Sequence, residues 1–500
     1  MTPPQSRKVV VIGAGPVGCL TAIALAKQGW NVEVYEGRPD MRLPSSKLEA
    51  AASLRSINLT ISPRGITAIQ AIDPNAAERF LRATVPMHSR MVHDTKGRMT
   101  PQRYDRSGQT INSIDRALLN EGLLEDALSI PNIQVFFCHK VSSIDFDARV
   151  LNVRDVNGKK DVFVPFDFCV GADGSYSTVR RQLMRHVRMD FQQEYIPHEY
   201  LELRAPSGPP KEAGGEPTFL MDPNHLHIWP RGSFMLIALP NQDKTFTLTL
   251  FSPTEEFDRL KSPEVILSWF KTQFPDALSI IGEDSLLNSF RRNPRSPLIT
   301  IKAKPYHYKD RVIILGDAAH AMVPFYGQGL NCGLQDVHVL AHLLRTHNVD
   351  PSYRPVEGAE DIQLAKALQV YSETRHDDLI SIGEFAMNNY IEMRETLTKP
   401  TFYLRKALDN VLYALTARQV IPTINNPGSV PDPFPTAQPS GWLPLYTMVT
   451  FRPDISYGTV KRKAQRQREI LSYAGWLGAV SLTVGTVGFS YLSLWHRFRK

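Results

Sequence analysis

Lys8-Val-Val-Val-Ile-Gly-Ala-Gly-Pro-Val-Gly18 is the stretch that decides the fold. Three valines and an isoleucine suit a strand buried on both faces. The glycines behind them suit a turn, the apolar run from Pro16 to about Gln28 a helix, and Asn31-Val-Glu-Val-Tyr-Glu36 a second strand. Together they make a βαβ unit. Gly13 permits the tight turn, Gly15 lets backbone approach a pyrophosphate, and Gly18 lets helix and strand pack closely. The phosphates would meet free N–H groups and the positive end of the helix. Glu36, 18 residues beyond Gly18, stands where an acid accepts hydrogen bonds from ribose hydroxyls. The constellation predicts a dinucleotide site, and its spacing leaves FAD and NAD open.

The chain around this unit has 500 residues, 42% hydrophobic and 21% charged. That excludes a disordered, collagen-like or polytopic membrane protein and leaves room for two or three domains. A formal charge of +7, from 57 basic and 50 acidic residues, makes no case for nucleic acid. Cys19, Cys138, Cys169 and Cys332 show no metal-ligand spacing, so no metal is implied and a reducing compartment is expected. The N-terminus lacks the apolar run of a secretory signal.

A second motif favours a flavin. Asp310-Arg-Val-Ile-Ile-Leu-Gly-Asp-Ala-Ala-His-Ala321 reads as an apolar strand ending at Gly316-Asp317, followed by Gly327-Gln-Gly-Leu-Asn-Cys-Gly333 and a helix to about Leu344. An Asp after a strand can hold a ribityl chain, and a helix N-terminus can stabilise negative charge on a reduced ring. Between the motifs, Phe234–Leu239 and Lys244–Phe251 read as an antiparallel hairpin, which predicts a β-rich domain in the middle of the chain. Helical spacing dominates 357–420, and six prolines in 422–439 predict a loop.

From Ile470 to Trp495 there is no formal charge. As a helix this run spans about 39 Å, longer than the roughly 30 Å hydrocarbon core. Basic residues flank it on both sides, and Tyr473, Trp476, Tyr491 and Trp495 lie towards its ends. A C-terminal membrane anchor is expected, with the body of the protein in the cytosol. The moderate hydrophobicity and basic flanks resemble anchors of the mitochondrial outer membrane, with the endoplasmic reticulum as the other choice.

The N-terminal fingerprint, Gly171-Ala-Asp-Gly-Ser175 running into Thr178-Val-Arg180, and Gly316-Asp-Ala-Ala-His-Ala321 together resemble the single-component FAD-dependent aromatic hydroxylases. Six longer strings narrow the resemblance to the kynurenine 3-monooxygenase family: Arg55–Leu59, Tyr195–His198, Leu226–Pro230, Val323–Gly329, Asn389–Arg394 and Pro444–Phe451. It covers nearly the whole chain. It implies an α/β fold in which a Rossmann-like FAD-binding domain of the glutathione reductase type carries an inserted antiparallel β-sheet substrate domain, C-terminal helices and a transmembrane tail helix. The expected divisions are 1–185 and 301–356 for the FAD-binding domain, with a substrate-site segment at about 86–112. Residues 186–300 form the substrate domain, 357–460 the helical region with its proline-rich loop at 422–439, and 470–495 the anchor.

The implied activity is NADPH- and O2-dependent conversion of L-kynurenine to 3-hydroxy-L-kynurenine through a flavin C4a-hydroperoxide, a step of tryptophan degradation. Arg90, Tyr104, Asn389, Tyr446 and Phe325 are the implied substrate contacts, with Arg90 able to grip a carboxylate through two parallel hydrogen bonds. Gly13, Gly15, Gly18, Glu36, Arg38, Arg55, Arg116, Asp173, Gly316, Asp317, Pro324, Gly327 and Gly329 are the implied FAD contacts. Arg38 is within reach of the adenosine phosphate, and Asp173 serves both flavin and pyridine nucleotide. No residue is assigned as catalytic acid or base, since the flavin performs the chemistry, and His320 reads as packing. Tyr326 departs from the family's usual Phe, and the length of 422–439 bears on the placement of Tyr446. Two alternatives stay open: another membrane-anchored flavin hydroxylase acting on a lipophilic ring, and a non-enzymatic carrier of prenylated proteins on the same fold.

Overall fold

The computed structural model describes residues 6–46, 58–212, 214–356, 358–397, 399–416, 433–434 and 439–473. Lys8–Ile12 is the strand expected, and its valines and isoleucine are buried. It pairs in parallel with Asn31–Tyr35 on one side and with Phe168–Gly171 on the other. The six-stranded sheet continues outward to Ile133–Phe136 at one edge, and through Val312–Ile314 to His307–Tyr308 at the other. The chain therefore leaves Lys8–Ile12 first in one direction and later in the opposite one. A crevice opens beyond the carboxyl ends of the strands at such a reversal, and here it lies between Ile12 and Gly171.

Helix α1 (Pro16–Ala26) covers the sheet with Leu20, Ile23 and Leu25. Its N-terminus has no side-chain cap, so its first N–H groups remain free at the crevice. Helix α2 (Gly329–Thr346) packs beside α1 and likewise starts without a side-chain cap.

A second sheet of seven strands has the order Ser296–Lys304, Asp190–Ala205, Phe246–Pro253, Phe234–Pro240, His225–Arg231, Ser89–His93, Met99–Arg103. The expected hairpin is present, with Leu236 opposite Leu250. Its second strand starts at Phe246 rather than Lys244, because Asn241 donates its N–H to the Thr245 carbonyl and holds 241–245 in the turn. One face of the sheet buries Leu201, Trp229 and Leu248 against Phe257, Phe270, Phe274 and Leu278. Those last four side chains come from a run of helices between Thr254 and Arg292 that the strand pattern did not reveal. The other face turns Leu226, Ile237 and Phe251 towards the crevice.

Helix α3 (Ile362–Ile391) crosses behind both sheets and ends in a π turn, Glu392–Thr396. Helix α4 (Pro400–Thr416) follows. Among the described residues no helix is long and apolar enough to cross a membrane. Of the expected anchor only 470–473 is described, and of the proline-rich loop only 433, 434 and 439; the remainder of both lies outside the described residues, as does Arg55.

Candidate active site

A cavity of about 800 Å³ runs from the βαβ turn to the second sheet. At one end it is walled by Gly13, Gly15, Glu36 and Arg38, midway by Asp173, Gly174, Gly316 and Asp317, and at the far end by Phe325, Tyr446 and Arg90. Two distant segments thus line one continuous space, as an extended dinucleotide requires.

The glycines divide their work as the fingerprint predicts. Gly13 has φ +100°, and a Cβ there would lie 2.5 Å from the Ala172 carbonyl oxygen. A Cβ on Gly18 would lie 1.9 Å from the Gly13 oxygen, so only glycine lets turn and helix close. A Cβ on Gly15 would meet nothing within 4 Å and would project into open space. That is the cradle a pyrophosphate needs against backbone. Glu36, buried, accepts the Ala14 N–H at 3.0 Å and the Arg38 N–H and Nε–H at 2.9 Å each. Burial raises its pKa, but the Arg38 and Ala14 hydrogen bonds outweigh burial and hold the carboxylate below its ordinary range. Arg38 thus turns back onto Glu36, with most of its side chain in solvent. Glu36 is charged and fixed at the mouth, fit to receive ribose hydroxyls. The residues present therefore fit FAD.

Arg116, exposed, lines the cavity, as do Pro324, Gly327 and Gly329. Gly327 has φ +64°, and a Cβ there would come within 2.1 Å of Thr60 Oγ1. Asp173 also lines the cavity, but its carboxylate is engaged internally, accepting Ser177 Oγ–H at 2.5 Å and the N–H groups of Thr178 and Val179 at 2.6 and 3.1 Å. Its part is to hold the loop that includes Gly174. Asp317 is exposed in the cavity wall, at the first position of a short helix that Gly316 caps.

Behind that wall lies a cluster that sequence reasoning missed. The buried Asp336 carboxylate accepts the Gly316 N–H at 3.1 Å, Arg375 Nε–H and NH2 at 3.1 and 2.9 Å, and a short hydrogen bond with His320. His320 accordingly sits behind the cavity rather than in it. His320, Cys332 and Asp336 have ligand atoms close enough to share a metal, but Arg375 also reaches Cys332 Sγ at 3.4 Å. A guanidinium already supplies the positive charge there.

At the far end the structure brings the predicted substrate residues together from five segments. Arg90, on the strand Ser89–His93, is 6% exposed. Its guanidinium lies 5.0 Å from the centre of the Tyr446 ring and 5.9 Å from that of Tyr104. Those two rings stack at 4.9 Å, and Tyr326 stacks on Tyr446 at 5.5 Å. Asn389 accepts from Arg90 at 3.4 Å and donates to the Phe325 carbonyl at 2.7 Å, so it ties the arginine to the turn Pro324–Tyr326. Arg90, Phe325, Tyr326 and Tyr446 form the wall itself; Tyr104 and Asn389 stand one layer behind. Arg90 Nε is buried with no hydrogen-bond partner, a donor awaiting one.

Glu392 was not anticipated. Its carboxylate meets Arg90 at 3.2 Å. It follows Asn389 by three residues on one helical face, a spacing that could have revealed it. Burial works against the Arg90 charge, while Tyr446, Glu392 and Tyr104 favour it more strongly and raise its pKa above the ordinary value. Burial pushes the Tyr104 and Tyr326 phenols well up, so both are neutral donors. Lys406 on α4 is pushed down to about 8 by burial and by the Arg90 charge. Leu226, Leu239, Phe251 and Met393 supply an apolar slot beside this polar end. The arrangement can hold a small aromatic acid with its carboxylate on Arg90 and its ring among the apolar side chains.

Residues 6–348 match the family model described as FAD binding domain. Curated relatives cover nearly all of the chain. Kynurenine 3-monooxygenase of Cryptococcus neoformans var. neoformans serotype D (strain B-3501A) is 43% identical over 98% of this chain and 97% of its own length. That of Saccharomyces cerevisiae is 40% identical over 96% and 97%. Among solved structures, tetrameric 2-methyl-3-hydroxypyridine-5-carboxylic acid oxygenase aligns at a TM-score of 0.59, with 18% identity over 82% of this chain and 97% of its own, a likeness of fold.

Proposed function

The chain belongs to the kynurenine 3-monooxygenase family and is an FAD-dependent hydroxylase of kynurenine, and we propose how its residues divide that work. The observation that carries the reading is Arg90, a buried and charged guanidinium in the wall at the end of the flavin cavity, with an unpartnered Nε and with Tyr104 one layer behind it. Lipophilic rings offer nothing to that cation, whereas the carboxylate of an aromatic amino acid offers it both oxygens. The Glu392 carboxylate next to Arg90 suits the substrate's ammonium, so the two side chains match a zwitterion. Phe325, Tyr446 and Tyr326 then flank the aniline ring, and Leu226 and Phe251 keep water from its far side.

Bound FAD would supply the redox chemistry, with two electrons from NADPH and with O2 giving one oxygen atom to the ring carbon beside the amine and the other to water. Gly15, Glu36 and the uncapped N-termini of α1 and α2 would hold its phosphates, ribose and ring, and Asp317 its ribityl chain. NADPH is the proposed electron donor by likeness to the family. The uncharged run 470–495 with its basic flanks supports a tail anchor in the mitochondrial outer membrane with the catalytic body in the cytosol.

The test is the purified, yellow protein given NADPH and O2 with L-kynurenine, with anthranilate, or with a lipophilic quinone. Kynurenine alone should yield a product heavier by one oxygen atom. Product from the quinone, or NADPH oxidation that ignores kynurenine, would overturn the reading.

A further inference from the structure

Helix α4 turns an apolar face to solvent as well as one to the body. At about 100° per residue, Leu404, Leu408, Val411 and Leu415 fall within an arc of about 60° on one face. They are 74, 40, 53 and 77% exposed, and no residue of the helix is buried. The opposite face sets Phe402 and Tyr413 against the core, with polar side chains among them and on the flanks. Lys406 donates to the Arg103 carbonyl at 3.0 Å, Asp409 accepts the Trp442 indole N–H at 2.9 Å, and Arg405 pairs with Asp409. A surface helix of a globular body turns polar side chains to solvent instead.

The same face of the molecule launches the chain's last segment. Trp442, bonded to Asp409, also donates its backbone N–H to Thr416 Oγ1. Its neighbour Gly441 accepts from Lys463 Nζ at 2.7 Å. Lys463 lies on the helix 457–473, whose last buried residue is Gln467; from 468 to 473 it stands clear of the body. That exit leads directly into the uncharged sequence 474–495. Arg405 lies beside Leu404 on the helix, Arg106 donates to the Asn410 carbonyl at 3.2 Å, and exposed Lys399 precedes the first turn, so cations stand near the stripe as on a helix lying in an anionic interface.

We propose that α4 lies in the membrane interface, with Leu404, Leu408, Val411 and Leu415 among the acyl chains, so that the body docks on the bilayer by a second contact beside the root of the tail. This rests on the reading of 470–495 as an anchor. It also sets the substrate site near the lipid surface, because α4 packs on the edge strand Met99–Arg103, next to the strand that carries Arg90.

The experiment uses the full chain with FAD, a Cys138→Ser background, and an environment-sensitive fluorophore on Leu404→Cys, reconstituted in phosphatidylcholine vesicles containing phosphatidylinositol. Lys271→Cys, on the far side of the second sheet, serves as the control. Emission at 404 should shift to the blue and be lost on adding doxyl-labelled lipid, while 271 stays aqueous. Emission at 404 matching the control overturns the proposal. So does a label shielded from aqueous iodide yet untouched by doxyl lipid, which would mean that residues 474–500 or a second copy cover the stripe. Leu404→Glu with Leu415→Glu, read from a label on Val411→Cys, should abolish lipid quenching while the protein still resists alkaline extraction through its tail. Extraction of the unsubstituted chain by alkali would defeat the anchor alone and leave the quenching at 404 to decide α4.

Discussion

Arg90 and Glu392 meet at 3.2 Å with unequal access to water, the arginine side chain 8% exposed and the glutamate side chain 40%. The acid can swing into solvent, and the arginine cannot. On the proposed reading, a substrate carboxylate takes the place of Glu392 at Arg90, and the freed Glu392 turns to the substrate's ammonium.

Replacing Arg90 by Met should weaken L-kynurenine binding ten- to a hundredfold, since a charge-assisted hydrogen bond contributes about 1.5–3 kcal/mol and each 1.4 kcal/mol is tenfold. FAD should stay bound, because the arginine's hydrogen bonds go to Glu392 and Asn389 and none to the βαβ turn. Tyr104→Phe, which removes a neutral donor, should do less. A decarboxylated analogue should bind both proteins about equally poorly in a fluorescence titration. Equal losses for the two ligands would move the carboxylate site elsewhere.

Glu392→Gln tests the other half of the pair. If the glutamate receives the ammonium, kynurenine should bind more weakly to this variant. A deaminated analogue, which keeps only the carboxylate, should bind more tightly because its competitor for Arg90 is gone. Parallel changes for both ligands would contradict the assignment.

Gly15 and Gly18 should fail in different ways. A side chain at Gly15 meets open space, so Gly15→Leu should fold, give a normal circular dichroism spectrum and lose its yellow colour. A methyl at Gly18 strikes the Gly13 carbonyl, so Gly18→Ala should lose folded protein as well as flavin. Full flavin occupancy in Gly15→Leu would remove the pyrophosphate from this turn.

The contrast between those glycines explains what the sequence could disclose. A local constraint such as the Gly13 turn is written in adjacent residues, so strand, turn and helix were legible from Lys8 to Glu36. Arg90, Tyr104, Phe325, Asn389 and Tyr446 became legible only through likeness to the family, because nothing in their spacing says that five segments converge. Glu392 was hidden because its meaning depends on facing Arg90 across 302 residues. The Asp336 cluster was hidden likewise, since a buried Asp in a helix reads as a breach of pattern until its partners Gly316, His320 and Arg375 are in place. The helices between Thr254 and Arg292 were passed over because the strands before them carried the stronger period.

Removal of residues 474–500 should shift the protein from the membrane pellet to the alkali-soluble fraction, judged by carbonate extraction and blotting. Because 468–473 already stands clear of the body, flavin content should survive the cut. A truncated chain that still resists carbonate would place the anchor elsewhere.

His227 should make the fold acid-sensitive. It lies on the second sheet, 1% exposed, with Nε2–H donating to the Asp222 carbonyl and Nδ1 facing His93 Nε2 at 2.9 Å. Burial, against which the Asp222 hydrogen bond acts only partly, lowers its pKa from 6.5 to about 4. The folded state thus keeps this imidazole neutral where the unfolded chain protonates it. Stability is complete above the unfolded value of 6.5, falls as pH drops, and levels off below about 4. The slope approaches about 1.4 kcal/mol per pH unit, for a total loss of roughly 3 kcal/mol. Urea unfolding of the wild type and of His227→Gln between those limits reads the effect of the His227–His93 contact, because buried histidines out of contact with His227 contribute to both proteins and cancel in the difference. His227→Gln should start less stable, having a weaker partner for His93, but should lose less on acidification. Curves that fall in parallel would mean that His227 takes up its proton without unfolding the sheet around it.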